Sequence, residues 1–285
     1  MIKPEQTTKY LSLRWLWGVL CLVLLVPTQG VAKDVFSFAV VPQYSAGDTF
    51  RVWQPIIRQL NGALPFRLAL ETAPDISSFE DLCEDGQFDF AFVNPYHLLR
   101  LHENRGYEPL LSDRSGRING VLVTRREGGV SEVAQLDHQS VAFPSPNSLG
   151  ASMMLRRDLR EQFQLSIKPR YVKSHSSVYL NVALGVTAAG GGVQKTLAQQ
   201  PQHIRDQLQV IHRTGEMPSH PVVVHPRVPL EVRQALKDVM LALAQTEKFQ
   251  TLLRNVPVYQ LGPASFSDYQ PLLQLGLDAY YEEQR

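Results

Sequence analysis

The sequence predicts an α/β protein of two lobes, with mostly parallel sheets, a hinge and a cleft between the lobes. Three observations carry that prediction. From Val35 onward, short apolar runs of strand character alternate with amphipathic stretches of helical period. Near residue 140 the alternation starts afresh as a second series. Extended crossings punctuated by Pro and Gly join the two series, one near Arg117-Ile-Asn-Gly120 and one from Thr214 to Pro221. A chain of 285 residues suffices for two such lobes. The expected division is a leader over 1–32, lobe one over 33–118, lobe two over 119–216, and a return to lobe one with C-terminal helices over 217–285.

The leader is predicted from its three-part pattern. Lys3, Lys9 and Arg14 precede the apolar run Leu16–Val26, and Gly30-Val-Ala32 gives an A-x-A-like exit. Those are the basic, apolar and small-residue regions of a secretory signal peptide, and the apolar run is too short to span a membrane. Cleavage is expected after Ala32. Cys21 lies inside the apolar run and follows Leu20, where a lipoprotein signal would carry a small residue. The mature chain therefore keeps one cysteine, Cys83, and no internal disulfide. Cys83 sits at an apolar position of a predicted helix and reads as a small core residue.

The whole chain has a net charge of +1. Loss of the leader removes three basic side chains and one acidic, leaving about −1. No basic block argues for nucleic acid. The histidines show no spacing suited to a metal, and no cofactor motif appears, so neither a metal site nor a cofactor is expected.

In the first series, Val35–Val41 alternates and then turns wholly apolar, as a buried parallel strand does. Pro42–Asp48 is a loop and Thr49–Leu60 an amphipathic helix. Phe66–Leu70 is a strand. Ser77-Ser-Phe-Glu80 has the capping-box pattern and opens a helix to Glu84, broken by Asp85-Gly86. Phe88–Val93 is a third strand. Asn94-Pro95 then supplies an N-cap and a proline at the first helical position of a helix ending near Gly106. Glu108–Leu111 and Gly120–Thr124 are further strands.

The second series begins with strand Val141–Phe143, turn Pro144–Gly150 and helix Ala151–Leu159. A strand feeding a small-residue turn and a helix leaves backbone N–H groups unpaired at a positive helix end, which suits an anion. Ser145, Asn147 and Ser148 add side-chain donors. Two readings of this turn stand: Asn147 or Ser148 caps the helix, or the turn cradles an anion. Arg170–Val172 is a strand, and Ser174-His-Ser-Ser177 opens a helix to Leu184. Val186–Ala189 reads as a short strand, Gly190-Gly-Gly192 as a flexible turn, and Val193–Gln199 as a helix. Gln209–His212 and Val222–Val224 are strands; Leu230–Ala244, Glu247–Leu253 and Tyr269–Tyr281 are helices.

In open α/β sheets a ligand binds beyond the carboxyl ends of the strands. Here those ends lead to Pro42–Asp48, Asn94–His97, Pro144–Gly150 and Ser174–Ser177, which offer hydroxyl, amide and imidazole groups and no Lys or Arg. The candidate site is accordingly an oxyanion cleft of neutral donors.

The order of motifs resembles one family. Ala39-Val-Val-Pro42, Gly86–Tyr96, Val141–Ser148, Val172-Lys-Ser-His175 and Thr214–Pro221 together look like the phosphonate-binding type among periplasmic substrate-binding proteins of phosphonate, phosphite and phosphate ABC transporters. The resemblance spans roughly 36–243. It implies a type II periplasmic-binding-protein fold that closes about a hinge. It implies a periplasmic location, a small oxyanion ligand, no catalysis, and delivery to a transporter permease by a monomer.

Position by position, Tyr96 matches an aromatic of the family site, Ser148 the first hydroxyl of its Ser-Thr-Ser-Gly cradle, and His175 its histidine. Tyr44 is matched by its place in the first loop. The expected ligand contacts are Tyr44, Asn94, Tyr96, Ser145, Asn147, Ser148, His175 and Ser176. Tyr96 can equally be a core aromatic, Asn94 and His175 cap residues.

Two departures stand out. The cradle reads Ser148-Leu-Gly-Ala151 and so lacks two hydroxyls. The family's Gly-x-x-Asp reads Gly185-Val-Thr-Ala188 and lacks the carboxylate that would pair with an aminoalkylphosphonate. Two rival functions share the compartment: a ligand sensor that presents its closed form to a membrane kinase, and a phosphate-ester hydrolase with Ser148 and His175 as its only conceivable nucleophile and base.

Overall fold

The computed structural model describes residues 35–282, so the expected signal peptide and Cys21 lie outside the described residues. Two sheets organise the chain. The first has strand order β11-β4-β10-β3-β1-β2 and the second β7-β6-β8-β5-β9. The strands are β1 Val35–Val40, β2 Arg67–Glu71, β3 Phe90–Phe92, β4 Glu108–Asp113, β5 Ile118–Arg125, β6 Ser140–Phe143, β7 Lys168–Tyr171, β8 Ala189–Val193, β9 Leu208–Met217, β10 Pro221–Val224 and β11 Leu261–Pro263.

The fold class is α/β with two sheets, but the sheets are mixed rather than mostly parallel. β1 runs parallel to β2 and β3, and β6 parallel to β7 and β8, as helical crossovers require. The strand that follows each crossing, β5 or β10, runs the other way, as does β11. β10 is antiparallel to β3 and β4, β11 to β4, and β5 to β8 and β9. The chain leaves the first sheet after β4 and returns to it after β9.

Sequence and structure agree where apolar pattern and cap agree. Asn94 caps the helix Pro95–Arg105 by accepting from the Tyr96 amide, and Gly106 ends it in the left-handed region at φ 70°. Ser174 caps the helix His175–Ala183 through the Ser177 amide. Cys83 is wholly buried in the first core, as its pattern predicts.

Four elements differ from expectation. The helix Ile76–Glu84 is capped by Asp75, not Ser77, because the Asp75 carboxylate accepts from both the amide and the hydroxyl of Ser78. Glu80 is thereby turned inward instead of reaching back to the cap. The run Ala151–Leu159 is not a uniform α-helix. Wide turns over Leu149–Met153 and Asp158–Gln162 flank a single α-turn, Met154–Arg157.

Gly190-Gly-Gly192 is no flexible turn but the middle of β8, at the centre of the second sheet. A Cβ on Gly191 would lie 2.0 Å from the Ala151 carbonyl oxygen, and one on Gly192 2.0 Å from the Tyr179 hydroxyl. Only glycine fits where backbone and side chain approach so closely. Finally, Tyr269–Tyr281 is broken into 3₁₀ turns at Gln270–Leu275 and Leu277–Tyr280. Pro271 and the left-handed Gly276 prevent one continuous helix.

The apolar core of the first lobe extends toward the second. Leu149, Met153, Met154, Ile118 and Met217 belong to the same buried cluster as Phe38, Trp53 and Phe92. Two smaller clusters lie on opposite faces of the second sheet, one around Phe143 and Leu155, the other around Tyr179 and Val182.

Candidate ligand site between the sheets

Direct hydrogen bonds join the lobes where the sequence places the cleft. The His175 amide donates to the Gln43 carbonyl at 3.1 Å. The Tyr44 hydroxyl donates to Gln199 Oε1 at 2.6 Å, and Asn94 Nδ2 to the Asn147 carbonyl at 2.8 Å. Lys195 Nζ donates to Asp113 Oδ2 at 2.5 Å and to the Pro257 carbonyl at 3.1 Å. The lobes are closed on one another.

Between them lies a cavity of 30 Å³, about twice what a single water needs. Gln43, Phe92, Asp113, Ser219 and His220 line it from the first lobe, Val193, Lys195 and Thr196 from the second. Each polar wall has a cause in the chain. Lys195 and Thr196 open the short helix Gln194–Ala198, which follows β8 without a loop. His220 ends the second crossing just before β10, where its ring stacks on Phe92 at 5.5 Å and its Nε2 meets Gln43 Nε2 at 3.1 Å.

Electrostatically this cavity is nearly neutral. Burial pulls His220 down to about 3, assisted by His175 and by the Lys195 ammonium. Burial alone pulls His175 down to about 4. Both rings are uncharged at neutral pH. Burial also works against the Asp113 charge, but the Lys195 ammonium and the amides of Gln260 and Ser115 outweigh it and hold the carboxyl below its usual range. The pair is well sequestered, with side chains 22% and 2% exposed. Lys195 is the one cation in the lining, and Asp113 already balances it.

None of the eight expected contacts lines this cavity. His175 lies behind its wall, buried, with Nδ1 3.3 Å from the Thr196 hydroxyl. Tyr44 and Ser176 line an outer groove with Asp48, Arg51, Gln199 and Asn255. Asn94, Ser145, Asn147 and Ser148 are buried at the lobe junction and bond to protein. The Ser145 and Ser148 hydroxyls meet at 3.0 Å, and the Ser148 carbonyl accepts from the Ser152 and Met153 amides. Asn147 Nδ2 donates to Glu80 Oε2 at 3.2 Å and to the Glu282 carbonyl at 2.9 Å. Tyr96 points away, its hydroxyl donating to Asp278 at 2.5 Å. Leu149, in place of a cradle hydroxyl, is 2% exposed and packs into the apolar cluster.

Gln43, Asp113, Lys195, Thr196, Ser219 and His220 are the polar lining residues that sequence reasoning missed. His220 lies within the quoted motif Thr214–Pro221. Ser148 and His175 each bond to other partners, Ser145 and Thr196.

The model of the family of ABC-transporter phosphonate periplasmic substrate-binding proteins matches residues 38–269. The chain belongs to that family.

Solved structures agree on the fold. The binding-protein component of a Pseudomonas aeruginosa ABC phosphonate transporter superposes with a TM-score of 0.80 at 14% identity, covering 89% of this chain and 91% of that one. PhnD1 from Prochlorococcus marinus, in complex with methylphosphonate, gives 0.77 at 13% identity over 87% and 98% of the two chains. A Xanthomonas citri protein bound to chloride gives 0.67 at 16% identity over 87% and 98%. At such identities the likeness fixes the fold, a type II periplasmic-binding-protein fold, and leaves the ligand open.

Proposed function

We propose that this family member is a monomeric periplasmic binding protein that carries a small phosphonate-class anion to an ABC-importer permease, without turning it over. The observation that supports this reading is the cavity walled by both lobes, with Lys195, Thr196, Gln43 and His220 converging on it. A ligand there touches both halves of the molecule, so it favours the closed form over the open one, and that differential affinity is what drives closure.

In this reading the Lys195 ammonium is the ligand's counter-charge, and Gln43 and Thr196 supply neutral donors. His220 donates from one ring nitrogen. Asp113 keeps Lys195 in place and limits the positive charge, so release to a permease does not require breaking an uncompensated ion pair. Tyr44 and Ser176 line the separate outer groove, and His175 backs Thr196. The hinge is assigned to the segments between β4 and β5 and between β9 and β10.

A thermal-shift screen of residues 33–285 tests this reading, with phosphate, phosphite, methylphosphonate, 2-aminoethylphosphonate, sulfate and molybdate. A ligand at a hundred times its Kd should stabilise by about 2.7 kcal/mol. The expected result is one stabilising anion whose shift is lost in Lys195→Gln. No shift from any of the six overturns the proposal.

A further inference from the structure

The C-terminal segment after β11 crosses from one lobe to the other. It is anchored in the first lobe by burial and by polar contacts. Tyr269, Leu272, Leu277 and Tyr280 lie in the first lobe's core cluster. The Tyr269 hydroxyl donates to the Ser219 carbonyl at 3.1 Å, and Arg114 pairs with Asp268 at 2.9 Å. Tyr96 holds Asp278, and the Arg100 guanidinium lies 5.0 Å from the centre of the Tyr281 ring.

The same segment grips the second lobe along the turns after β6. Arg157 donates to the Leu275 carbonyl at 3.3 Å, and Tyr280 to Glu161 at 2.9 Å. Arg156 donates to the Tyr280 carbonyl and, at 2.6 Å, to the Glu282 carboxylate. Tyr171 donates to that same carboxylate oxygen at 2.6 Å. The Asn147 side chain completes the grip, pairing with both the amide and the carbonyl of Glu282 at 2.9 Å each. Glu282 alone therefore meets three side chains of the second lobe.

We infer that the segment from Tyr269 to Glu282 is a clasp that holds the two lobes closed before any ligand arrives. The inference follows from where the bonds fall. Contacts within one lobe would be indifferent to opening. Those from Asn147, Arg156, Arg157, Tyr171 and Glu161 to a segment rooted in the other lobe cannot all survive separation of the lobes. Several are charge-assisted and partly buried, with the Arg156 side chain 13% exposed. A clasp of this kind raises the population of the binding-competent state, and with it the apparent affinity. Entry and release of cargo would then begin with the freeing of Glu282.

The test needs no ligand, so its outcome is independent of the proposed cargo. Arg67→Cys and Lys168→Cys place spin labels on exposed edge strands of the two sheets, with Cys83 buried and out of reach. Double electron–electron resonance on the ligand-free protein is expected to give one short distance. A chain ending at Tyr281, and separately Arg156→Ala, should each add a longer distance. The closed-to-open ratio should fall about tenfold or more, as loss of one charge-assisted bond predicts. Ending at Tyr281 spares the buried Leu277 and Tyr280, and the unfolding midpoint of each variant checks that it remains folded. An unchanged distance distribution in both folded variants overturns the clasp, and so does an already open distribution in the parent.

Discussion

Lys195 decides the electrostatics of the cavity, yet its charge is balanced within the protein. Removing only one partner of a sequestered ion pair leaves the other in a medium that solvates it poorly. Asp113→Asn should therefore cost about 3 kcal/mol in urea unfolding. Lys195→Met combined with Asp113→Asn should cost less than the sum of the single changes, because no bare charge remains; strictly additive costs would contradict the coupling. Lys195 was hidden from sequence reading for a physical reason. Gly190-Gly-Gly192 has the composition of a turn, and reading it so detaches Lys195 from the central strand whose end delivers it to the cavity. Ser145, Asn147 and Ser148 were legible as side-chain donors on the turn after β6, but a sequence cannot show that other protein groups already bond to them.

At the level of elements, β8 shows how far the second sheet depends on an absent side chain. Gly191 faces the Ala151 carbonyl and the Phe143 ring together, and neither is the loose end of a flexible side chain. Gly191→Ala should lower stability by about 3 kcal/mol through overpacking, read as a drop in Tm, while Gly47→Ala, with open space around it, should leave Tm nearly unchanged. Caps were the most legible elements: Asn94-Pro95 and Ser174 each start a helix where the sequence says. The Asp75 cap was missed because Ser77 and Glu80 imitate a capping box two residues later. Glu80 was needed elsewhere, as the buried acceptor of Asn147. Direction was harder to read than element type, since apolar runs such as Val222–Val224 fit a buried strand of either sense.

For the molecule as a whole, buried ionisable groups set opposing pH limits. Burial raises Glu80 from 4.5 to about 8, with Asp81 and Glu84 adding to the rise and the Asn147 amide opposing it. The folded state keeps that proton where the unfolded chain has lost it, so stability falls as pH rises from about 4.5 through 8. His175 and His220 act in the other sense. Their folded values, about 4 and about 3, lie below the ordinary 6.5, so stability falls as pH drops below 6.5 and on through those values. His97, lowered to about 3 by burial and the Arg100 charge, adds a third contribution in this sense. These three rising contributions against the one falling place the maximum near pH 6.5 in the urea midpoint of the ligand-free protein. Glu80→Gln should abolish the decline above that pH and keep the bond from Asn147; a decline that persists would assign it to other groups.

Two lobes were visible in the sequence because the crossings interrupt the alternation of strand and helix. Their closure was not, because the closing bonds run from Asn147, Arg156 and Tyr171 to Glu282, more than a hundred positions away.

Trp53 packs 5.0 Å from the Phe92 ring, and Phe92 in turn stacks on His220 at the cavity wall. The other two tryptophans of the chain, Trp15 and Trp17, fall within the expected leader. A protein of residues 33–285 thus carries a single indole, one aromatic ring removed from the candidate ligand. Its own ultraviolet emission is a built-in optical gauge of that wall, readable without attaching a dye.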